Sequence, residues 1–241
     1  MTVTAQSVPI LKDNYAWLLK DSQTGATAIV DPADAEPIIA AIEEAGGRLD
    51  MILLTHHHHD HIGGVEEVRA RFNCPVVGAA ADAHRLPKLD QAVKEGDTVK
   101  LGSASGMVIE TPGHTIGQIN FYFPDGPILL SGDTLFSLGC GRLIEGNAEQ
   151  MFASLRKLAA LPGNTLVCCG HEYTESNAKF ALAIDPDNAA LKAMVAEIGK
   201  LRSAGKPSVP SLMSDEMVAN PFLTAPNEAS FADARAKKDK F

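Results

Sequence analysis

At 241 residues with 45% hydrophobic side chains, the chain suits one large domain or a domain with an appendage, and it holds enough apolar material for a substantial core. Its formal charge of −9 argues against the basic face that nucleic acid or an anionic membrane demands. No apolar run approaches bilayer-spanning length, the first residues lack a basic and apolar leader pattern, and Cys74, Cys140, Cys168 and Cys169 show no C-x-x-C spacing, so a cytoplasmic protein is expected.

In chain order, short strands are predicted over 3–8, 15–19 and 26–30, separated by turns carrying Pro9, Asp13-Asn14 and Asp21 to Gly25. A helix over about 34–45 shows apolar Ile38, Ile39 and Ile42 and stops at Gly46-Gly47. The apolar run 51–54 leads into a polar loop, followed by a helix at 65–72, a short strand at 75–77 and a mostly irregular stretch over 78–96. Strands follow at 98–101, 107–110, 119–123 and 128–130, with Asp125-Gly126 as a hairpin signal. A helix over 149–161 and a buried strand over 165–169 complete this part. From Tyr173 onward no strand pattern shows; helices at about 174–183 and 188–204 and a Pro-punctuated segment over 207–226 suggest a helical appendage. Together the elements predict an α/β protein with two sheets packed together and helices outside.

The loop Thr55-His56-His57-His58-His59-Asp60-His61 places five imidazoles and a carboxylate in seven positions. Read as extended chain, it turns His56, His58 and Asp60 to one side and His57 and His59 to the other, with His61 serving from a different angle. These are too many donors for one tetrahedral ion that keeps an open position, so the loop reads as part of a two-metal centre for zinc, iron or manganese. A surface run or tag remnant would sit near a terminus among Gly and Ser, whereas this run is internal and follows a strand. Three further donors, His114, Asp133 and His171, each lie just past an apolar strand and directly after a Gly. Strand ends collect at one edge of a sheet sandwich, so the four segments are expected to converge there. His84 lacks that context and reads as a surface residue.

The pattern T-H-x-H-x-D-H with later P-G-H-T, S-G-D-T and G-H-E resembles the metallo-β-lactamase superfamily, which implies an αββα sandwich. Asp13-Asn14-Tyr15, Gly132 to Phe136, Gly139-Cys140-Gly141-Arg142, Cys169 to Thr174, Asn220-Pro221-Phe222 and Lys237-Lys238-Asp239 resemble its glyoxalase II (hydroxyacylglutathione hydrolase) family, from about residue 8 to the C-terminus. That resemblance implies a catalytic domain over 1–172 and a helical substrate-binding domain over 173–241. It also implies two divalent ions per chain, zinc first with iron or manganese as alternatives: His56, His58 and His114 on one, Asp60, His61 and His171 on the other, and Asp133 bridging.

The implied activity is hydrolysis of S-(2-hydroxyacyl)glutathione, above all S-D-lactoylglutathione to D-lactate and glutathione in methylglyoxal detoxification, with a metal-bridging hydroxide as nucleophile. A glutathione persulfide dioxygenase or a metal-dependent lactonase is the alternative, and a monomer is expected. The resemblance assigns substrate binding to Arg142, Tyr173, Arg235 and Lys238, although Ile144 stands where relatives often carry an aromatic. Without it, the charged run Lys237-Lys238-Asp239-Lys240 reads as a solvated, frayed terminus. Asp31 and Thr55, at strand ends facing the cluster, are expected to orient ligands, and Asn14-Tyr15 reads as turn chemistry.

Overall fold

The structure is a computed structural model that describes residues 2–241. The chain forms two compact units, one of residues 1–110 and 117–132, the other of 111–116 and 133–241.

In the first unit, β1 (Val3–Ile10) and β2 (Asn14–Asp21) form an antiparallel hairpin running from Val3 opposite Asp21 to Ile10 opposite Asn14, and β3 (Thr27–Val30) continues it antiparallel. After α1 (Ala35–Glu44) the sheet becomes parallel, with β4 (Met51–Leu53) beside β3. The short α2 (His59–Ile62) and α3 (Val65–Phe72) then return the chain to β5 (Val76–Ala79), and β6 (Gln91–Val93) closes the parallel edge. Parallel neighbours require such crossovers, and strands covered on both faces read as continuous apolar runs, as β3 and β5 do. Ala35, Ile38 and Ile42 of α1 lie on one helical stripe and pack with Val65 and Val68 of α3 against Ile29, Ile52, Leu54 and Val76. Truncating a side chain as enclosed as Ile38 to Ala costs about 2–5 kcal/mol.

Strands β7 (Thr98–Leu101), β8 (Ala104–Glu110), β9 (Ile119–Phe123) and β10 (Ile128–Gly132) form an antiparallel meander in the same unit. It is pinned to the first sheet at both ends. At one end the buried Asp21 carboxylate accepts hydrogen bonds from Ser103 N and Oγ, both 2.8 Å, and from Thr24 Oγ1 at 2.7 Å. At the other end, where β4 finishes, Ile119 N donates to Thr55 O at 2.9 Å. Gly132 packs there with φ +47, where a Cβ would meet Thr55 Oγ1 at 2.5 Å, so this position takes neither the backbone twist nor the bulk of another residue.

The second unit holds the two-residue strands β11 (Leu135–Phe136) and β12 (Gly139–Cys140), paired as a ribbon, then α4 (Ala148–Ala159) and β13 (Leu166–Cys169). Asn147 and Gln150 close a capping box at the start of α4, satisfying two backbone donors that the first turn leaves open. Helices α5 (Thr174–Ile184) and α6 (Ala189–Ser203) pack through Ala178, Ala181, Leu191 and Ile198. Strand β14 (Ser211–Leu212) pairs antiparallel with β13 and is followed by α7 (Met213–Ala219) and α8 (Glu228–Lys238).

One local expectation is corrected, and three elements add detail to the others. β14 lies beyond Tyr173, where none was expected; two residues are too few to display alternation, and their pairing comes from β13. β6 occupies three residues of the stretch read as mostly irregular, again as a short edge strand. The Pro-punctuated segment contains α7, and the C-terminal charges continue α8 through Lys238 because Phe231 and Ala234 anchor its other face.

Hydrogen bonding, chiefly from the Ser103 N–H, holds the Asp21 carboxyl well below the usual carboxylate range. A depressed folded value means that its stabilisation is complete above the unfolded value near 3.8 and is lost as pH falls below it toward the folded value. Asp21→Asn is therefore expected to lower the melting temperature at neutral pH, with the gap to the parent narrowing below about pH 4. Thermal melts of both proteins across that range check this, and a pH-independent gap contradicts it.

Candidate metal centre

The geometry begins at Asp31, a buried non-glycine residue with φ +53 at the end of β3. Its Oδ1 accepts from Thr55 N at 2.8 Å and its Oδ2 from Thr55 Oγ1 at 2.6 Å and His61 Nδ1 at 3.0 Å. The Thr55 hydroxyl gives its proton to Asp31, so its lone pairs face His56 Nδ1, 3.0 Å away. Two imidazoles thus carry their protons on Nδ1 and turn the Nε2 lone pairs outward. His56 Nε2 lies 3.1 Å from His58 Nδ1. Two nitrogens sharing a tetrahedral zinc at ordinary bond lengths stand roughly 3.3 Å apart, so the pair suits a common ion. Asp31, His56 and His61 also offer ligand atoms within 4.8 Å of one another.

The alternation expected for the loop holds only to His58, which caps α2 with extended backbone. From His59 the chain is helical, so Asp60 and His61 are set by a helical turn, and His61 reaches back to Asp31 while His59 faces solvent. Asp60 is held by Asn14, whose Nδ2 donates to Asp60 O at 3.0 Å and Oδ2 at 3.1 Å. Asn14 is therefore more than turn chemistry. His57 turns away, its Nδ1 3.0 Å from the buried Asp82, which Arg85 also engages at 2.5 Å. Neither Asn14 nor Asp82 carries a pattern that marks a partner 46 or 25 residues away. His84 is exposed, as expected.

The second unit carries the other donors. His114 Nδ1 donates to Arg142 O at 2.8 Å, which again turns Nε2 outward. That Nε2 lies 3.4 Å, and His171 Nε2 3.3 Å, from the same Asp133 Oδ2, so one carboxylate oxygen stands beside two imidazole nitrogens. Gly141 packs on both: a Cβ there would lie 2.0 Å from Asp133 O and 3.1 Å from His114 Cβ. Tyr173, 38% exposed, stacks on His171 with ring centroids 4.5 Å apart, and Phe136 meets both rings edge-on.

The four residues expected to bind substrate differ in setting. Arg142 and Ile144 are exposed. Lys238 is half-buried; its Nζ donates to Ser176 O and Oγ at 3.1 and 3.0 Å and lies 5.5 Å from the Phe180 and Phe241 ring centroids. Desolvation, and then the charge of Arg235, pull its ammonium pKa below the ordinary lysine value. Arg235 is buried at 4% exposure, with Nη1 donating to Cys140 O at 2.9 Å, Nη2 to Asp239 Oδ1 at 2.8 Å and the guanidinium 5.0 Å above Phe222. The four cysteines are free and buried, and burial pushes Cys140 up to about 11 and Cys169 to about 12, so neither supplies a thiolate near neutral pH.

The chain is similar to known proteins over its whole length. A sequence model of the metallo-beta-lactamase superfamily matches residues 11–171, and one of the hydroxyacylglutathione hydrolase C-terminus matches 172–241. The hydroxyacylglutathione hydrolase of Cereibacter sphaeroides is 51% identical over the whole of both chains. The B3 metallo-beta-lactamase BLEG-1 is similar in structure, at 26% identity and TM-score 0.71 over 92% of this chain and 100% of that one. TTHA1623, solved in a di-iron-bound form, is 30% identical with TM-score 0.59 over 70% of this chain and 91% of its own. The fold is that of the metallo-β-lactamase superfamily, with mixed sheets flanked by helices. Within it, the chain belongs to the hydroxyacylglutathione hydrolase family.

Asp31→Asn keeps the size of the side chain but replaces an acceptor with a donor opposite Thr55 and His61. It is expected to weaken metal retention about ten- to a hundred-fold, as loss of a ligand's outer partner does. Metal content after graded chelator dialysis measures this; parental retention removes Asp31 from the centre.

Proposed function

We propose that the chain hydrolyses S-(2-hydroxyacyl)glutathione, S-D-lactoylglutathione above all, to the hydroxy acid and glutathione, at a centre of two divalent ions with zinc as first choice. The single observation that carries this is the set of three imidazoles whose Nδ1 protons are fixed by Asp31, Thr55 and the Arg142 carbonyl, leaving Nε2 to coordinate. The ligand assignment follows the family: His56, His58 and His114 for one ion, Asp60, His61 and His171 for the other, and Asp133 for both. The spacings of His56 to His58 and of Asp133 to His114 and His171 support it.

Bound there, the ions would supply an activated water near neutral pH and a Lewis acid for the thioester carbonyl. The protein's part is orientation. Asp31 and Asn14 fix His61 and Asp60, and Thr55 fixes His56, so the ligands need no rearrangement during the reaction. The leaving thiolate is stable enough near neutral pH to depart without a protonated side chain beside it. A glutathione thioester carries two carboxylates and one ammonium, so a net anion must approach a chain of net charge −9. Arg142 and Lys238 supply local positive charge, Arg142 as a planar fork and Lys238 as a compact ammonium, and Tyr173 offers an exposed hydroxyl-bearing ring beside His171.

Release of free thiol from S-D-lactoylglutathione by the metal-loaded protein tests the reading. Lys238→Ala is expected to raise KM about tenfold with kcat nearly unchanged, the pattern of a lost binding contact. No thiol release, with oxygen uptake on glutathione persulfide instead, would overturn it in favour of a dioxygenase.

A further inference from the structure

Five imidazoles lie within the six residues 56–61, and only those of His56, His58 and His61 belong to the proposed ligand set. His59 is settled by α2, which turns it to solvent. His57 stands between two proposed ligands, and a residue from the end of a neighbouring strand decides its side. Strand β5 runs parallel to β4, with Leu54 N donating to Val77 O at 2.9 Å, so the chain leaving β5 lies beside the chain leaving β4. It forms a single 3-10 turn over Ala80–Asp82, which leaves Asp82 only 1% exposed. Asp82 Oδ2 lies 3.0 Å from His57 Nδ1, and Oδ1 accepts from Arg85 Nε at 3.1 Å and Nη2 at 2.5 Å. Arg85 N and Leu86 N donate to Asp82 O at 2.8 and 3.0 Å, which fixes the backbone that carries the carboxylate. A carboxylate beside a guanidinium only accepts, so His57 Nδ1 carries the proton. Gly117 packs against the same carboxylate: a Cβ there would lie 2.1 Å from Asp82 Cγ, so only glycine lets the β8–β9 connection come this close.

We propose that Asp82 is a positioning residue for the metal centre: by anchoring His57 it fixes the phase of the extended segment 56–58 and presents His56 and His58 together. This rests on the proposed roles of His56 and His58 as ligands of one ion. Side chains of an extended chain alternate, so a ring tied to one side puts its two neighbours on the other. The distances agree, with His56 Nε2 and His58 Nδ1 3.1 Å apart while His57 meets Asp82. A carboxylate this enclosed is costly unless its partners stay in place, so Asp82 holds His57 as firmly as His57 satisfies Asp82. Asp31 and Thr55 fix the tautomers of His61 and His56, whereas Asp82 acts on the direction of the chain between the rings.

The experiment measures zinc retention against a graded chelator, and the visible absorption of the cobalt(II)-loaded protein, in the parent, Asp82→Asn, His57→Ala, the double variant and His59→Ala. Asp82→Asn keeps the size of the side chain but can accept on one atom only, against donors on both. Retention is expected to fall about tenfold in Asp82→Asn and in His57→Ala, as for other outer partners of ligands. The cobalt spectrum changes in both, because the coordination geometry itself alters. The double variant is no weaker than the weaker single one, since Asp82 acts through His57. His59→Ala keeps parental retention and spectrum. Parental retention in Asp82→Asn, losses that multiply in the double variant, or an equal loss in His59→Ala overturns the proposal. Circular dichroism identifies an unfolded Asp82→Asn, in which case His57→Ala decides, and parental retention there overturns the proposal. A parent that holds no zinc overturns the metal reading and this proposal together, whereas one that holds zinc but releases no thiol from S-D-lactoylglutathione overturns the functional reading alone.

Discussion

The Asp31 carboxylate is the interaction on which the histidine loop depends. A non-glycine residue in the left-handed region costs about 1–3 kcal/mol unless its surroundings fix it. Aspartate is among the residues that tolerate it best, and here three hydrogen bonds to its oxygens offset the cost. Those bonds join the end of β3 to the chain just past β4 and to the helical turn beyond. Thr55 is the second half of the device: it passes the orientation of Asp31 on to His56, accepts Ile119 N–H on its carbonyl and packs against Gly132. The residues that close the sheets on one another thus also aim two of the proposed ligands.

Much of this was legible in the sequence because metal donors are few in kind and dense in spacing. The seven-residue loop, the Gly-preceded His114, Asp133 and His171, and the long apolar strands follow from composition and periodicity alone. The roles suggested for Asp31 and Thr55 match the hydrogen bonds that they make. Contacts fixed by tertiary structure were not legible. The helical turn at Asp60 breaks the alternation of the loop, and Asn14, read as turn chemistry, holds Asp60 from 46 residues away. Two-residue strands such as β11, β12 and β14 are too short to show a period and exist because a neighbour supplies the hydrogen bonds.

The second unit shows a different use of polar residues. Glu216, Asn220, Asn177 and Arg235 are buried, and burial pushes the Glu216 carboxyl above its ordinary value. Burying such groups is costly unless each finds partners, and these find them on the backbone of one ribbon. That investment goes to a segment flanked by Asp133 and Arg142. The C-terminal helices therefore carry a structural duty beside the substrate binding proposed for them, with Arg235 buried against the Cys140 carbonyl.

The central claim is a two-ion centre built from seven side chains, and metal stoichiometry tests it most directly. Metal-free protein titrated with zinc or iron(II), and followed by calorimetry together with elemental analysis, is predicted to take up two equivalents per chain. Asp133→Ala is predicted to weaken the uptake of both, because the family arrangement gives that carboxylate to each ion. Saturation at one equivalent in the fully folded parent would contradict the account.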